Sequence, residues 1–543
     1  GSAWITAHAR IDGQRDLIDA LRGRNRTVAE SASDAELILH AYAAWGERCI
    51  EHLIGDFTFA LWDCRNRRLF CAIDPFGIRP FYYAFAGGTF VFSNTLECVR
   101  LHPGVSSALD ERALGDFLLF GCYQDQDRTI YANLRRLPPA HCLLVSSGAP
   151  MVRRYWDFAP VEEAGSAAAD EIVDNFRSLL SEATRDRLRT RQIAVQMSGG
   201  LDSTSVAAAA VRLLSAGPKP WSVSAYTVVF KDLIPDDEEG FAREVAEELG
   251  LEFTLQSGDD FEPYDWMDRC RWPPPEPINE PSWSIHLRQI GQIGRHRSVL
   301  LTGIEGDFPL QASLRHHWVQ LGRAGDWRRI LRELTWYVTH ERTVPPVGLR
   351  TAIQRLRRRP ARLPPWLAPQ FVRRARLVDR LREHEAAALA TPPSPDRTDR
   401  LRRVFWPGVF DSFDPAWTGC ALESAHPLMD LRVMRFLLSL PPVPWCIGKR
   451  ILRIAAKGIL PKNVLSRPKT PLAADPVLAA IKRYGLPARM LDDTNGEASA
   501  YVDLSGFRTG GAVNLSENDW SNLRPISLAG WLKSTKRKAN AHG

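Results

Sequence analysis

The chain has 543 residues, 45% of them hydrophobic and 24% charged. Those proportions exclude disorder across the whole chain, and at roughly 100–200 residues per domain the length implies two or three domains. No apolar run reaches the ~18 residues of a membrane span, and the first residues alternate apolar and charged positions, unlike a signal peptide. Gly1-Ser2 reads as a vector-derived dipeptide, so the natural start is expected upstream. Nine cysteines are scattered without a CxxC pair, which argues against a disulfide framework or a zinc site and for a reducing, cytoplasmic setting.

The net charge of +7 is local in origin. Between Arg350 and Arg403 stand 15 arginines, no lysine and 5 acids, and Lys533, Lys536, Arg537 and Lys538 add a basic tail. A basic chain suggests nucleic acid, but the remainder is net acidic and carries no nucleic-acid motif, so neither nucleic acid nor membrane is expected as a partner. The Arg-rich stretch reads either as a solvated surface or as a docking face for an acidic peptide or protein. Within it, Phe371–Leu389 is predicted as one helix.

In chain order, Phe57–Asp63, Leu69–Ile73, Pro80–Phe85 and Thr89–Ser93 have strand composition. Ser33-Asp34-Ala35-Glu36 marks the start of a helix running to about Trp45. Composition shifts to Ala, Glu and Gly around 160–169, as in a linker. Beyond it strands and helices alternate: helix Ile172–Leu188, strand Ile193–Met197, helix Ser203–Leu214, strand Ser222–Phe230, helix Glu239–Leu249, helix Ser284–Ile293 and strand Val299–Thr302. That alternation predicts a parallel sheet covered on both faces, with a mostly helical part after Asp307. The expected units are 1–160, 170–490 and an extension, 491–543.

The strongest chemical signal is Ile193-Ala-Val-Gln-Met-Ser198-Gly199-Gly200-Leu201-Asp202-Ser203-Thr204. An apolar strand runs through a Ser-Gly-Gly turn into a helix start. Glycines allow close backbone approach to an anion, and the helix start supplies free N–H groups and a positive dipole end. Ser198, Ser203 and Thr204 add hydroxyls. Asp202 would repel phosphate directly and fits a Mg²⁺ ligand instead. GxxxxGK[ST] is absent, so this is not the Walker loop.

SGGLDS resembles the pyrophosphate loop of the ATP pyrophosphatases, and further stretches narrow the resemblance to the asparagine synthetase family. Residues 33–83 are similar to its glutaminase domain, and Asp237-Glu238 to a pair in the loop after its nucleotide site. Glu276-Pro277-Ile278-Asn279-Glu280-Pro281-Ser282 resembles DEPxxDPS. Leu301-Thr302-Gly303-Ile304-Glu305-Gly306-Asp307 resembles LSGEGAD. Glu423-Ser424-Ala425-His426-Pro427-Leu428-Met429-Asp430 resembles ExRxPFLD. Gly448-Lys449-Arg450 through Arg467-Pro468-Lys469 resembles GxKxxLR…LP…RPK. The resemblance implies an amino-terminal glutaminase-like (Ntn-type) α+β sandwich, then a pyrophosphate-loop parallel α/β synthetase domain with a helical carboxyl-terminal part. It implies ATP and Mg²⁺ as cofactors. Ser198, Gly199, Gly200, Leu201, Asp202, Ser203, Thr204 and Gly303 would hold the nucleotide, Asp202 and Asp307 the metal, and Glu423 and Lys469 would be catalytic.

The departures are as informative. No cysteine precedes Cys49, and Arg10 stands where the family's glutamine-binding Glu falls, so the first domain is expected to be inactive. Asp34 survives from that pocket, and its expected use is as a helix cap. Ala425 replaces an Arg, Ile304 a Glu and Phe308 an acid, which makes the acceptor side less polar. Without ammonia from glutamine, the amine must belong to the substrate. Two branches of the family work that way, the β-lactam synthetases and the lasso peptide cyclases. The broad basic segment favours the second: a macrolactam-forming cyclase acting on a precursor peptide, with a leader peptidase and a leader-binding protein as partners. A β-lactam synthetase-like ligase, an ammonia-using relative and a nucleotide-binding scaffold remain alternatives.

Overall fold

The computed structural model describes residues 3–146, 150–158, 168–216, 222–269, 273–304, 306–310, 312–342, 362–390, 397–402, 405–468, 472–485, 496–503 and 520–542. Period-2 alternation builds the first domain. In β2 (Ile54–Asp63), Phe57, Phe59 and Leu61 enter one core while Ala60 enters another; in β3 (Arg68–Ile73), Phe70 and Ala72 share the first core, Cys71 and Ile73 the second. Side chains alternate across a strand, so this sheet is buried on both faces. Its order is β1-β2-β3-β7-β8, with β1 Ala3–Asp12, β7 His141–Val145 and β8 Met151–Arg154. Every pairing in it is antiparallel. The helices Gln14–Arg22 and Asp34–Trp45 cover one face. A second sheet, ordered β5-β4-β6 (Thr89–Ser93, Tyr82–Ala86, Leu134–Arg136), covers the other.

The second domain is a five-stranded parallel sheet in the order β11-β10-β9-β12-β13. These strands are β9 Gln192–Gln196, β10 Ser222–Val229, β11 Glu252–Ser257, β12 Val299–Thr302 and β13 Glu423–Ala425. Ile193, Val195, Val299 and Leu301 pack on one face, Ala194 and Leu300 on the other, the near-continuous apolar reading of a sheet buried on both sides. The chain leaves β9 toward β10 and returns to its other flank as β12. Ligands bind at the carboxyl ends of strands flanking such a reversal.

A third core joins parts distant in sequence. Phe117 of the first domain, Trp283, Phe371, Leu523 and Trp531 all belong to it. Within the expected extension 491–543, the helix Arg524–His542 enters this core through Ile526, Leu528, Ala529 and Trp531. The single helix expected over Phe371–Leu389 is two, Pro369–Arg374 and Leu377–Ala390, because Arg376 takes a left-handed φ of 53°.

Several of the described arginines of the basic segment have internal partners. Arg380 reaches Asp116 at 2.6 Å and Asp125 at 3.3 Å, and Arg374 meets Glu111 at 2.5 Å. Arg402 contacts Asp157 at 3.0 Å and donates to the Phe158 carbonyl at 2.6 Å. Arg397 donates to the Leu437 and Leu440 carbonyls, each at 2.7 Å, and to Pro309 at 3.2 Å. No helix among the described residues is long and apolar enough to cross a membrane.

Candidate functional site

At the carboxyl end of β9 the chain turns through Ser198-Gly199-Gly200 into the helix Leu201–Ser215. Ser198 N–H donates to Ser203 Oγ at 3.0 Å, and Gly200 N–H to Ser198 Oγ at 3.2 Å. Thr204 Oγ1 donates to the Gly200 carbonyl at 2.9 Å. The hydroxyls thus hold the turn in shape. Gly199 N–H donates to Glu238 Oε2 at 2.7 Å, so an anionic oxygen already sits on the loop. Glu238 is held in turn by Arg467 at 3.0 Å.

The glycines give clearance. A Cβ on Gly199 would lie 2.6 Å from both Arg467 Nη1 and Phe241 Cβ. A Cβ on Gly303, after β12, would lie 2.4 Å from Ser203 N and 2.8 Å from Asp202 C. Gly303 therefore lets two backbones meet, bringing the β12 loop against the start of the phosphate helix.

That approach assembles the charged groups. Lys449 Nζ bridges Asp202 and Asp307, reaching Asp307 Oδ1 at 2.6 Å. Lys449 itself has a left-handed φ of 58°, which directs the chain into the helix Arg450–Ala455. A cavity of about 460 Å³ contains Ser198, Gly199, Gly200, Leu201, Asp202, Ser203, Gly303, Asp307, Lys449 and Arg467 in its wall. Arg467 Nη1 is buried there with no hydrogen-bond partner among the described residues, and an orphaned guanidinium donor fits a phosphate oxygen. The two carboxylates converge on one cationic nitrogen, so a hard divalent cation fits the same point. Two carboxylates with the remaining ligands from phosphate and water is the Mg²⁺ pattern. Bound there, the metal would neutralise charge on the leaving phosphates.

A second cavity, about 670 Å³, shares Gln196, Val228, Gln289 and Ile304 with the first. Gln196 Nε2 donates to Gln289 Oε1 at 2.7 Å across that shared wall. Its lining is largely apolar, including Phe230, Trp283, Phe405, Phe413 and Trp417, and no Lys or Arg lines it among the described residues. Its acids are Glu276, Glu280 and Asp411. Burial pushes the Glu276 carboxyl up to about 7. Asp411 is matched by the Arg136 guanidinium at 2.5 and 2.7 Å.

Around Arg10, where the resemblance expects a glutamine-binding Glu, the first domain carries a buried charge cluster. Arg10 lies 2.9 Å from Asp12 and 2.7 Å from Asp56, and is 3% exposed. Burial opposes ionisation of Asp56, but Arg10 and Arg187 outweigh it and hold its carboxyl low. Arg187 links Asp12 at 3.2 Å to Asp430 at 2.9 Å, crossing into the synthetase domain. Asp34 is not the cap. Ser33 caps the helix in a capping box with Glu36, while Asp34 accepts from Ile11 N–H at 2.9 Å and Arg189 Nη1 at 2.6 Å. It ties β1 to the second domain.

The structure brings the loop residues, Gly303, Asp202 and Asp307 together. Thr204 lies one helix residue behind the cavity wall, its hydroxyl turned to backbone. Glu423 lines neither cavity: it pairs with Arg79 at 2.7 Å and approaches Arg10 at 3.9 Å, at the seam between domains. Lys469 and the side chain of Phe308 lie outside the described residues. Lys449, Glu238 and Arg467 stand in the motif stretches quoted above, but only the folded chain shows them in the cavity wall.

A two-domain chain with an antiparallel sandwich and a phosphate-binding parallel α/β domain is the build of an amidotransferase-type ligase. Residues 1–156 match the glutamine amidotransferase domain model, and 175–533 the asparagine synthase model. The chain belongs to the asparagine synthase family, and its class is ATP-dependent carbon–nitrogen ligase. It is 25% identical over 498 residues to asparagine synthetase [glutamine-hydrolyzing] 3 of Bacillus subtilis, covering 86% of this chain and 75% of that protein. Over 218 residues it is 34% identical to a putative asparagine synthetase of Mycobacterium bovis, covering 38% of this chain and 33% of the other. Over 269 residues it is 29% identical to amidase chyE of Penicillium rubens, covering 47% and 39%.

Proposed function

We propose that the chain is a peptide cyclase of the lasso type, which joins an Asp or Glu side-chain carboxylate of a peptide to that peptide's own amino terminus. The observation that carries this reading is the second cavity. A free amino acid such as aspartate presents an α-carboxylate that needs a cation, and none lines the wall among the described residues. A peptide presents apolar surface, which the aromatic lining suits, and an amine, which the acids suit. The buried Arg10 cluster further supports a substrate-borne amine over ammonia from glutamine.

In this reading the substrate carboxylate attacks the α-phosphorus of ATP and pyrophosphate leaves, forming an acyl adenylate. Lys449 and Arg467 hold the phosphates, and Gly199 N–H joins them when a phosphate oxygen takes the place of Glu238 Oε2. The ammonium gives one proton to a carboxylate of the second cavity, the resulting amine attacks the acyl carbon, AMP leaves, and the remaining proton passes to solvent. Holding both ends of one peptide together makes this step effectively unimolecular, worth up to about 11 kcal/mol, and the apolar walls exclude competing water. Lys469 is assigned to the developing oxyanion; Glu423, placed at the seam, is assigned no step. A leader peptidase and a leader-binding protein would deliver the peptide, and co-purification tests that.

The function is tested by incubating peptides that bear a free amino terminus and an internal Asp or Glu with enzyme, ATP and Mg²⁺. The expected product has lost one water, with AMP and pyrophosphate released in equal amount. Substrate-dependent ADP refutes the chemistry. Turnover of small amino acids alone transfers the assignment to a β-lactam synthetase-like ligase.

A further inference from the structure

The second cavity is built across the two domains. Phe117, Gly121, Cys122 and Tyr123 of the first domain line it together with residues of the second. The wall is fixed from behind. Gly121 ends the helix Glu111–Phe120 at a left-handed φ of 78°. Arg524 of the last helix donates to the carbonyls of Leu118 and Leu119, at 3.1 and 2.5 Å, a basic group on the helix end where it is favoured.

Two first-domain donors then position a second-domain carboxylate. Tyr123 OH donates to Glu276 Oε1 at 3.0 Å and Ile130 N–H to the same oxygen at 2.7 Å. Glu276 is 3% exposed. Both bonds fall on Oε1, so the second oxygen is the one left for a ligand. Glu280 adds a further carboxylate to the wall. Independently, Trp283 lines the same cavity at 5% exposure, and its indole N–H has no hydrogen-bond partner among the described residues. A buried N–H without a partner costs free energy that a ligand acceptor recovers.

We infer that this cavity is a binding site for the amino-terminal residue of a peptide, with the ammonium on Glu276 and Glu280 and the first carbonyl oxygen on Trp283 Nε1. The first domain serves it through Tyr123, a positioning residue, so this domain forms part of the acceptor pocket although its own glutamine site is filled. The occupant's identity as the attacking amine rests on the ligase reading; the recognition of ammonium plus carbonyl does not.

The test is calorimetric titration of the full chain, without ATP, using glycyl-leucinamide and its N-acetyl derivative. The amine is expected to bind at least about tenfold more tightly than the acetylated probe, as for a hydrogen bond to a charged group. Tyr123→Phe should weaken the amine by about threefold to tenfold and leave the acetylated probe unchanged. Trp283→Phe, which keeps the ring and removes the donor, should weaken both probes alike. Equal affinity for the two probes overturns the inference, as does no binding of either at millimolar concentration. A Tyr123→Phe loss shared equally by both probes makes Tyr123 merely structural and removes its positioning role. No step of this titration consumes ATP, so failure here is distinct from failure of the ligase reading, which shows as absence of AMP.

Discussion

Gly303→Ala is the sharpest probe of the nucleotide site. The added Cβ would stand 2.4 Å from Ser203 N, 2.6 Å from Ser203 Cα and 2.8 Å from Asp202 C. An unstrained contact needs about 3.4 Å, so the loop after β12 and the start of the phosphate helix must part by about 1 Å. Every obstructing atom is backbone, and no flexible side-chain end can give way. Overpacking of this kind costs about 1–3 kcal/mol. The separation acts on the groups that must converge, since Asp202 lies on one side of the contact and Asp307 follows on the other. A misplacement of about 1 Å costs on the order of 10²-fold in rate. Substrate-dependent AMP release, measured beside the melting curve, should fall by that factor with only a modest loss of stability. Gly240→Ala, whose Cβ meets nothing within 4 Å, is the control and should leave both unchanged. Wild-type AMP release from a folded Gly303→Ala protein would refute the reasoning.

Asp202→Asn and Asp307→Asn should each abolish AMP formation without unfolding the chain; full turnover at saturating Mg²⁺ removes that residue from the metal site. Arg10→Met should destabilise by about 3–5 kcal/mol in urea, because Asp12 and Asp56 lose a buried partner; a loss below about 1 kcal/mol would count against the cluster. Burial, reinforced by Arg187, Arg10 and Arg79 and opposed by Asp56, lowers His426 from 6.5 to about 3. The unfolded chain therefore binds the extra proton first, so this stability is full above pH 6.5 and is lost as pH falls from there toward 3. From pH 7 to 5 the loss is about 2 kcal/mol, and His426→Gln should flatten that part of the profile. Lys469→Ala should lower kcat and kcat/KM together by about 10²–10³ with unchanged ATP binding; a drop under about threefold makes it an ordinary surface lysine.

The elements that sequence reading placed best are those whose signal is local. Strand Val299–Thr302 falls where expected, and the helix at Ser203–Leu214 is found as Leu201–Ser215. β13 has three residues and exists only because β12 pairs with it, so no periodicity announces it. Nor does the sequence show the break at Arg376 inside an apparently continuous helical pattern. The loop SGGLDST was legible because one short string carries strand, turn and helix start. Lys449 was not, because its partners Asp202 and Asp307 lie well over a hundred positions away and meet it only in the folded chain. The same holds for the second cavity, whose wall draws on distant stretches around 117–123, 228–230, 276–289 and 405–417. Asp34 shows the opposite failure: a local rule offered a cap, and tertiary contacts with Ile11 and Arg189 decided otherwise.

The arginine contacts of the segment 362–402 change what its charge is for. Arg374 and Arg380 fasten it to Glu111, Asp116 and Asp125, and Arg402 fastens it to Asp157, all in the first domain. The same stretch is anchored at Arg397 to carbonyls of the second domain. It acts as a strap drawn over both halves. Two domains joined by a linker ordinarily rock against each other, and here that hinge is cross-braced. Salt screens the exposed contact at Arg374 more than the sheltered one at Arg380, so rising ionic strength would slacken the strap unevenly while the shared apolar core still holds the halves together.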